Sequence, residues 1–405
     1  MGQLKANYLF PEINLRKNQF LAEYPESVLL SLGIGDTTEP ITPSITHTLV
    51  ETSAGLGTRQ GYSGYGPEQG IQALREKIAS KIYHYKVEPS EIFVSDGAKC
   101  DIGRLQMFFG SNVSAAVQDP AYPVYIEGSL IQGVQKIFSI PCSPENHFFP
   151  DLETMPRTDL IYFCSPNNPT GAVATRTQLE RLVQFAEANH SIIIFDSAYA
   201  NYIQDPSLPK SIFEIEGAKR VAIEISSFSK LAGFTGVRLG WTVIPDELKY
   251  DDGLSVRADW NRLTSTIFNG ASIIAQHGGC AVLEEKGLQE IESLTHFYME
   301  NARIIKEALE NLQYEVFGGV NAPYLWVRFK GKKSWDIFQQ FLTQFHIITT
   351  PGSGFGLGGE GFIRLTAFSS RAKILEATAR LKRGTWKKDG PSKNLLWQEC
   401  FTQPE

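Results

Sequence analysis

The sequence predicts an α/β protein: a large domain with a mostly parallel sheet covered by helices, followed by a smaller α+β domain. Three observations predict it. Between about residues 90 and 245 short apolar runs alternate with helical stretches. Polar motif residues fall at the carboxyl ends of several of those runs, at 95–99, 119–122, 165–168, 196–199 and 227–230. After Leu288 the order becomes helix, strand, helix, strand, helix. Strands joined by crossover helices run parallel with both faces buried, and such sheets bind ligands at the carboxyl ends of their strands. A length of 405 residues suits one large and one small domain. The divisions read from the pattern are an amino-terminal arm at 1–60 that belongs to the small domain, a large domain at 61–290, a small domain at 291–381 and a polar tail at 382–405.

The arm reads as irregular, broken by Pro11, Pro25, Pro40 and Pro43, with 31–36 as its strand-like piece. From Glu68 onward, Ile71, Leu74, Ile78 and Ile82 recur at helical spacing with Arg75, Glu76, Lys77 and Lys81 between them, the pattern of an amphipathic helix. Strands are expected at 92–94, 115–118, 160–164, 192–195, 221–225 and 239–243, with helices at 101–109 and 177–189. A long helix is expected after Leu288 to about Leu312. It is followed by a strand at 324–329, a helix at 335–345, a Gly-rich loop at 352–361, a strand at 362–366 and a helix at 372–381.

Composition narrows the function classes. Hydrophobic residues at 42% and charged residues at 20% describe a soluble globular chain. A net charge of −6 without a long basic run argues against nucleic acid as a partner. No apolar run approaches the ~20 residues needed to span a bilayer, so no membrane role is expected. Five cysteines without metal-ligand spacing, and a first stretch carrying Lys5, Glu12, Arg16 and Lys17, point to a reducing cytoplasm and no metal site.

The chemistry concentrates at the strand ends. Asp196 follows the apolar run 192–195, where a carboxylate needs a cationic partner or takes up a proton. Lys230, in Ser226-Ser227-Phe228-Ser229-Lys230, becomes a nucleophile if burial or nearby cations such as Arg238 lower its pKa. Ser95-Asp96-Gly97-Ala98-Lys99 joins a strand to a helix, so the free amides of the helix start can cradle an anion, with Ser227 and Arg238 adding donors. Arg364 lies on an otherwise apolar strand and wants an anion, since an unpaired buried charge is costly. Taken singly, each has a plainer reading: Asp196 as a helix cap, Lys230 as a surface lysine, Tyr122 as a core tyrosine, Arg364 as half of a structural salt bridge.

Asn168, Asp196, Tyr199, Ser227, Lys230 and Arg238 occur in the order and near-spacing of the pyridoxal 5'-phosphate aminotransferases of fold type I, which the chain resembles over nearly its whole length. The resemblance implies Lys230 as the amine that anchors the cofactor and moves a proton. It implies Asp196 as partner of the pyridine nitrogen, and Tyr199 and Asn168 as hydrogen-bond partners of the phenolic oxygen. Tyr122 would stack on the ring, while Ala98, Lys99, Ser227, Ser229 and Arg238 lie around the phosphate. Tyr65, in Gly64-Tyr65-Gly66-Pro67-Glu68-Gln69-Gly70, matches the tyrosine that reaches the phosphate in the neighbouring subunit, which implies a homodimer with shared sites.

Finer motifs, among them Asn7-Tyr8-Leu9-Phe10, Leu32-Gly33-Ile34-Gly35-Asp36-Thr37-Thr38, Ser95 to Asp101 and Phe268-Asn269-Gly270-Ala271-Ser272, are similar to those of the LL-diaminopimelate aminotransferases. That resemblance implies transfer of an amino group between glutamate and tetrahydrodipicolinate, for lysine and peptidoglycan precursors. It assigns Tyr8, Gly35, Lys99, Tyr122, Asn168, Asn269 and Arg364 to substrate, with Arg364 and Gly35 at the α-carboxylate and Lys99 and Asn269 at the distal end. Past about Leu381 the family's closing helix has no match here.

Three other readings compete. Ser227-Phe228-Ser229-Lys230 also fits the Ser-x-x-Lys element of acyl-enzymes, but the Ser-Asp-Asn and Lys-Thr-Gly strings of that class do not occur. A non-catalytic ligand sensor on this fold would need an added DNA-binding unit, and the motif region begins by about residue 30. The strongest rival is the same chemistry on aspartate, alanine or an aromatic amino acid.

Overall fold

Short, nearly continuous apolar runs dictate the central sheet. In a computed structural model that describes residues 9–384, its strands are β1 (Ile92–Ser95), β2 (Ser114–Asp119), β3 (Lys136–Pro141), β4 (Leu160–Cys164), β5 (Ile192–Asp196), β6 (Ala222–Ser227) and β7 (Gly240–Val243). Their spatial order is β1-β7-β6-β5-β4-β2-β3. All neighbours are parallel except those of β7, which runs antiparallel to β1 and β6. Every residue of β4 is buried. Ile161, Phe163, Ile193 and Phe195 enter the core on one face, against Leu179, Leu182 and Val183 of the helix Arg176–Asn189. Leu160, Tyr162 and Ile194 enter the core on the other, against Ile102 and Leu105 of the helix Ala98–Phe109. With both faces sealed, the strand ends are where polar groups meet solvent and ligand.

The six strands expected in this region are present, each within two residues at either end. β3 is not among the expected strands: it is an edge strand with one buried residue, Ile140, and its apolar residues Ile137, Phe138 and Ile140 form no continuous run, since Ser139 interrupts them. The helix expected from Ile71 is the helix Gln72–Lys77 continued by a π turn, Ile78–Ile82.

The arm expected to be irregular is largely helical, a correction to the sequence reading. Helices Leu9–Glu23 and Pro43–Gly55 flank the two-residue strand Leu30–Ser31. Pro11 and Pro43 lie in first turns, where a missing N–H removes no helical bond and the fixed φ favours the helix. Leu9, Ile13 and Phe20 pack with Trp326, Phe338 and Phe355 of the carboxyl-terminal part, and Leu30–Ser31 pairs with Ile347–Ile348. Ile45, by contrast, joins the core of the large sheet.

The helix Glu285–Asn311 leads to a four-stranded antiparallel sheet in the order Thr350–Pro351, Phe362–Thr366, Tyr324–Arg328, Glu315–Gly318. Helices Ser334–Gln344 and Arg371–Arg383 pack with it. The stretch expected as a tail lies, from residue 385 on, outside the described residues, as does Tyr8. Among the described residues no helix is long and apolar enough to cross a membrane.

Candidate active site

The carboxyl ends of β1, β4, β5 and β6 open into a cleft of about 460 Å³ that Arg364 and Tyr324 close from the second sheet. Twelve of the residues expected at a site line it: Gly35, Ala98, Lys99, Tyr122, Asn168, Asp196, Tyr199, Ser227, Ser229, Lys230, Arg238 and Arg364. Lys230 is half-buried and its Nζ donates to the carbonyl of Gly35 at 2.5 Å. Loss of hydration lowers its pKa to about 8; Asp36 opposes that shift, while Arg364 and Arg238 reinforce it. An amine so placed is partly neutral near physiological pH, which is what a nucleophile and proton carrier needs.

Asp196 ends β5 at 6% exposure. Its Oδ1 accepts from the amide of Ala198 at 3.0 Å and its Oδ2 from the Tyr125 hydroxyl at 2.8 Å. Burial raises its pKa, and the two donors only partly offset that. Among the described residues no cation pairs with it. Tyr125 is fixed by stacking on Tyr162, with centroids 5.5 Å apart. It stands one helical turn after Tyr122, which was the only signal available in the sequence for it.

An anion cradle lies at the start of the helix Ala98–Phe109. Gly97, with φ of 124°, turns β1 into this helix, and a Cβ there would stand 2.4 Å from Nη2 of Arg238. Arg238 also donates from Nη1 to the Ser229 hydroxyl at 3.3 Å and to the Thr235 carbonyl at 3.1 Å. The guanidinium and the unpaired first-turn amides therefore face one space. Ser227 caps the next short helix, accepting from the amide of Ser229 at 3.0 Å and donating to the carbonyl of Leu239 at 3.2 Å. Lys99 lies above the ring of Tyr122, 5.6 Å from its centroid.

Arg364 is 1% exposed. It donates to Oδ1 of Asn168 at 2.6 Å and to the carbonyl of Gly33 at 2.5 Å, and its Nε has no partner. Its guanidinium lies 4.5 Å from the ring centroid of Tyr324 and 4.9 Å from that of Phe355. All its partners are neutral, so the structural salt bridge is not formed among the described residues, and a positive charge remains for a carboxylate to meet. The Tyr324 hydroxyl lies 2.7 Å from that of Tyr199. A Cβ on Gly35 would approach the same hydroxyl to 2.4 Å, so only glycine lets the Gly35 backbone reach this floor. Tyr324, buried in an apolar strand, gave no sign in the sequence of its link to Tyr199.

Two predicted residues are not in the cleft. Tyr65 is 90% exposed on the wholly exposed stretch 57–68. Asn269 is exposed next to Phe268, whose ring centroid lies 4.0 Å from the guanidinium carbon of Arg104.

Pyridoxal 5'-phosphate fits these groups: a buried carboxylate without a cation suits a protonated ring nitrogen, and the Gly97 turn with Arg238 suits a phosphate. A lowered-pKa lysine between them defines a pyridoxal-phosphate enzyme of fold type I. The profile of the family described as aminotransferase class I and II matches residues 27–381, and the chain belongs to this pyridoxal-phosphate-dependent family. It is 52% identical over 398 residues to an LL-diaminopimelate aminotransferase of Protochlamydia amoebophila (strain UWE25), covering 96% of this chain and 97% of that one. It is 56% identical over 395 residues to a probable chloroplastic LL-diaminopimelate aminotransferase of Oryza sativa subsp. japonica, covering 95% and 85%. The solved L,L-diaminopimelate aminotransferase from Chlamydomonas reinhardtii superposes with a TM-score of 0.91 at 54% identity, covering 94% and 96%.

Proposed function

We propose that this chain transfers an amino group between glutamate/2-oxoglutarate and tetrahydrodipicolinate/LL-2,6-diaminopimelate, in the synthesis of lysine and peptidoglycan precursors. The observation that carries the substrate is identity of 52–56% along nearly the whole chain to LL-diaminopimelate aminotransferases. When bound, pyridoxal phosphate supplies an electron sink for the carbanion at the substrate Cα. The chain's residues do the rest. Arg364 takes the α-carboxylate in a bidentate pair, with the amide of Gly35 beside it, so that Cα faces Lys230. Lys230, neutral above pH 8, moves the proton from Cα. With the cofactor bound, Asp196 would keep the ring nitrogen protonated, Tyr199 and Asn168 would steady the phenolic oxygen, and Tyr122 would stack on the ring. Glutamate would leave as 2-oxoglutarate with its amino group retained by the bound cofactor, and the keto group of ring-opened tetrahydrodipicolinate would then take up that amino group at the same site.

Lys99 and Asn269 are assigned to the distal end of diaminopimelate, and Tyr8 to the substrate without a subsite. The assembly proposed is a homodimer in which Tyr65 reaches the phosphate of the neighbouring site, supported by the exposure of 57–68. The compartment proposed is the cytoplasm, supported by free Cys100, Cys142, Cys164 and Cys280. The test is a half-reaction: the yellow, cofactor-loaded protein is mixed separately with LL-diaminopimelate, glutamate, aspartate and alanine. Loss of colour with the first two only is expected; loss of colour with aspartate or alanine but not LL-diaminopimelate would overturn the substrate assignment.

A further inference from the structure

The Gly-rich loop 352–361 has no role in the chemistry above, yet it joins the two halves of the cleft. Its own side is tied down, since the Ser334 hydroxyl donates to the carbonyl of Gly359 at 3.1 Å and accepts from the amides of Ser353 and Gly361 at 3.3 and 3.1 Å. Its other side rests on the end of β2. Oδ1 of Asp119 accepts from the amide of Gly358 at 3.0 Å, and the carbonyl of Phe355 accepts from the amide of Ala121 at 2.9 Å.

The approach is close enough to exclude side chains. A Cβ on Gly356, whose φ is 129°, would stand 2.0 Å from Oδ1 of Asp119, and one on Gly358 would stand 2.8 Å from the Asp119 carbonyl. Asp119 is 7% exposed; burial raises its pKa while the amides of Gly358 and Leu357 pull it down. On one side of this junction, three residues on, stands Tyr122, which lines the cleft from the large sheet. On the other stands Phe355, whose ring lies against the Arg364 guanidinium from the second sheet.

We infer that Asp119 is a positioning residue for substrate: it latches the loop 352–361 onto the large sheet and so sets the distance between Arg364 and the Tyr122 face of the cleft. The inference rests on Arg364 as the carboxylate-binding residue. Asp119 touches no substrate; it acts through Phe355, and its loss leaves the anion cradle at Gly97 and Arg238 in place. Binding of the α-carboxylate suffers, not retention of the cofactor.

The test compares Asp119→Ala, Asp119→Asn and Gly358→Ala with the parent as loaded enzymes. Charge-assisted hydrogen bonds set the scale: Asp119→Ala is expected to raise the KM for glutamate and for 2-oxoglutarate about tenfold. kcat and the affinity for pyridoxal phosphate should stay within about threefold. Asp119→Asn keeps an acceptor oxygen and restores most of the KM. Gly358→Ala, which crowds the same junction from the loop, repeats the split if Asp119→Ala fails to fold. Hydrogen exchange at the amides of Leu357 and Gly358 should quicken in Asp119→Ala, independently of turnover. An unchanged KM in Asp119→Ala beside a raised one in Arg364→Lys overturns the latch. An unchanged KM in Arg364→Lys overturns the reading of Arg364 instead. Equal loss of cofactor and substrate binding in Asp119→Ala also overturns the latch.

Discussion

Replacing Tyr125 by Phe removes a single oxygen beside Asp196 and keeps the ring stacked on Tyr162. The bond lost is the 2.8 Å donation to Oδ2 of Asp196, in a carboxylate whose other protein donor is the amide of Ala198. A hydrogen bond to a charged, buried acceptor contributes about 1.5–3 kcal/mol. Asp196 faces the ring nitrogen only in its ionised form, so that stabilisation passes into cofactor binding. The lower figure corresponds to a roughly tenfold weaker affinity for pyridoxal phosphate. The assay is titration of cofactor-free protein, read by visible absorbance at pH 8. A titration series toward lower pH supplies the control: burial raises the pKa of Asp196, and once it has taken up a proton in both proteins the donor no longer meets a charge and the difference narrows. Equal affinities at pH 8 would show that the bond is idle. A tenfold loss of the same size throughout the series would show that packing, not charge, was removed, and either result refutes the assignment.

The lowered pKa of Lys230 predicts how cofactor-free protein takes up pyridoxal phosphate: the rate rises about tenfold per pH unit up to about pH 8 and then levels. Asp36→Asn, which removes the carboxylate that holds the amine up, shifts that midpoint to lower pH; a profile flat from pH 6 to 9 contradicts the placement of the amine. Glu224, on the other face of β6, accepts from the hydroxyls of Tyr83, Ser197 and Ser211 and the amide of Ile212, and burial raises its pKa to about 7. A carboxylate whose folded pKa exceeds its unfolded value of 4.5 binds protons more tightly when folded, so its stabilising share is full below 4.5 and declines as pH rises to 7. The decline is about 3 kcal/mol for this one group. Glu224→Gln should therefore show a flatter dependence of urea unfolding free energy on pH between 5 and 8; parallel curves would disprove it.

Local patterns made most of the fold and the cofactor site legible. β4 and β5 are buried runs ended by polar residues, and Asp196, Lys230 and Asn168 stand at such ends, where periodicity and chemistry speak together. Tyr324 and Tyr125 escaped because their partners are distant: the Tyr199–Tyr324 contact spans 125 residues and the Tyr125–Asp196 bond 71. Nothing near Tyr324 separates it from an ordinary core residue. Pro11 and Pro43 misled the reading of the arm because proline both stops helices and starts them, and which it does depends on its place in the turn. β3 lacks the continuous apolar run that marks β4 and β5, because Ser139 interrupts Ile137, Phe138 and Ile140 and Pro141 ends the stretch.

The Gly33 carbonyl that receives Arg364 belongs to a segment whose partners are made last. Arg364 lies 331 residues later in the chain, Thr350 317 later, and Leu30–Ser31 pairs with Ile347–Ile348. During synthesis at about 5–20 residues per second, that segment waits at least roughly fifteen seconds before its contacts exist. The large sheet can assemble in the meantime, but the carboxylate-binding floor cannot. A ribosome-bound chain halted before Phe362 should thus possess Lys230 and the anion cradle while lacking Arg364, so the groups that would hold the cofactor exist before the group that would hold an amino acid's carboxylate.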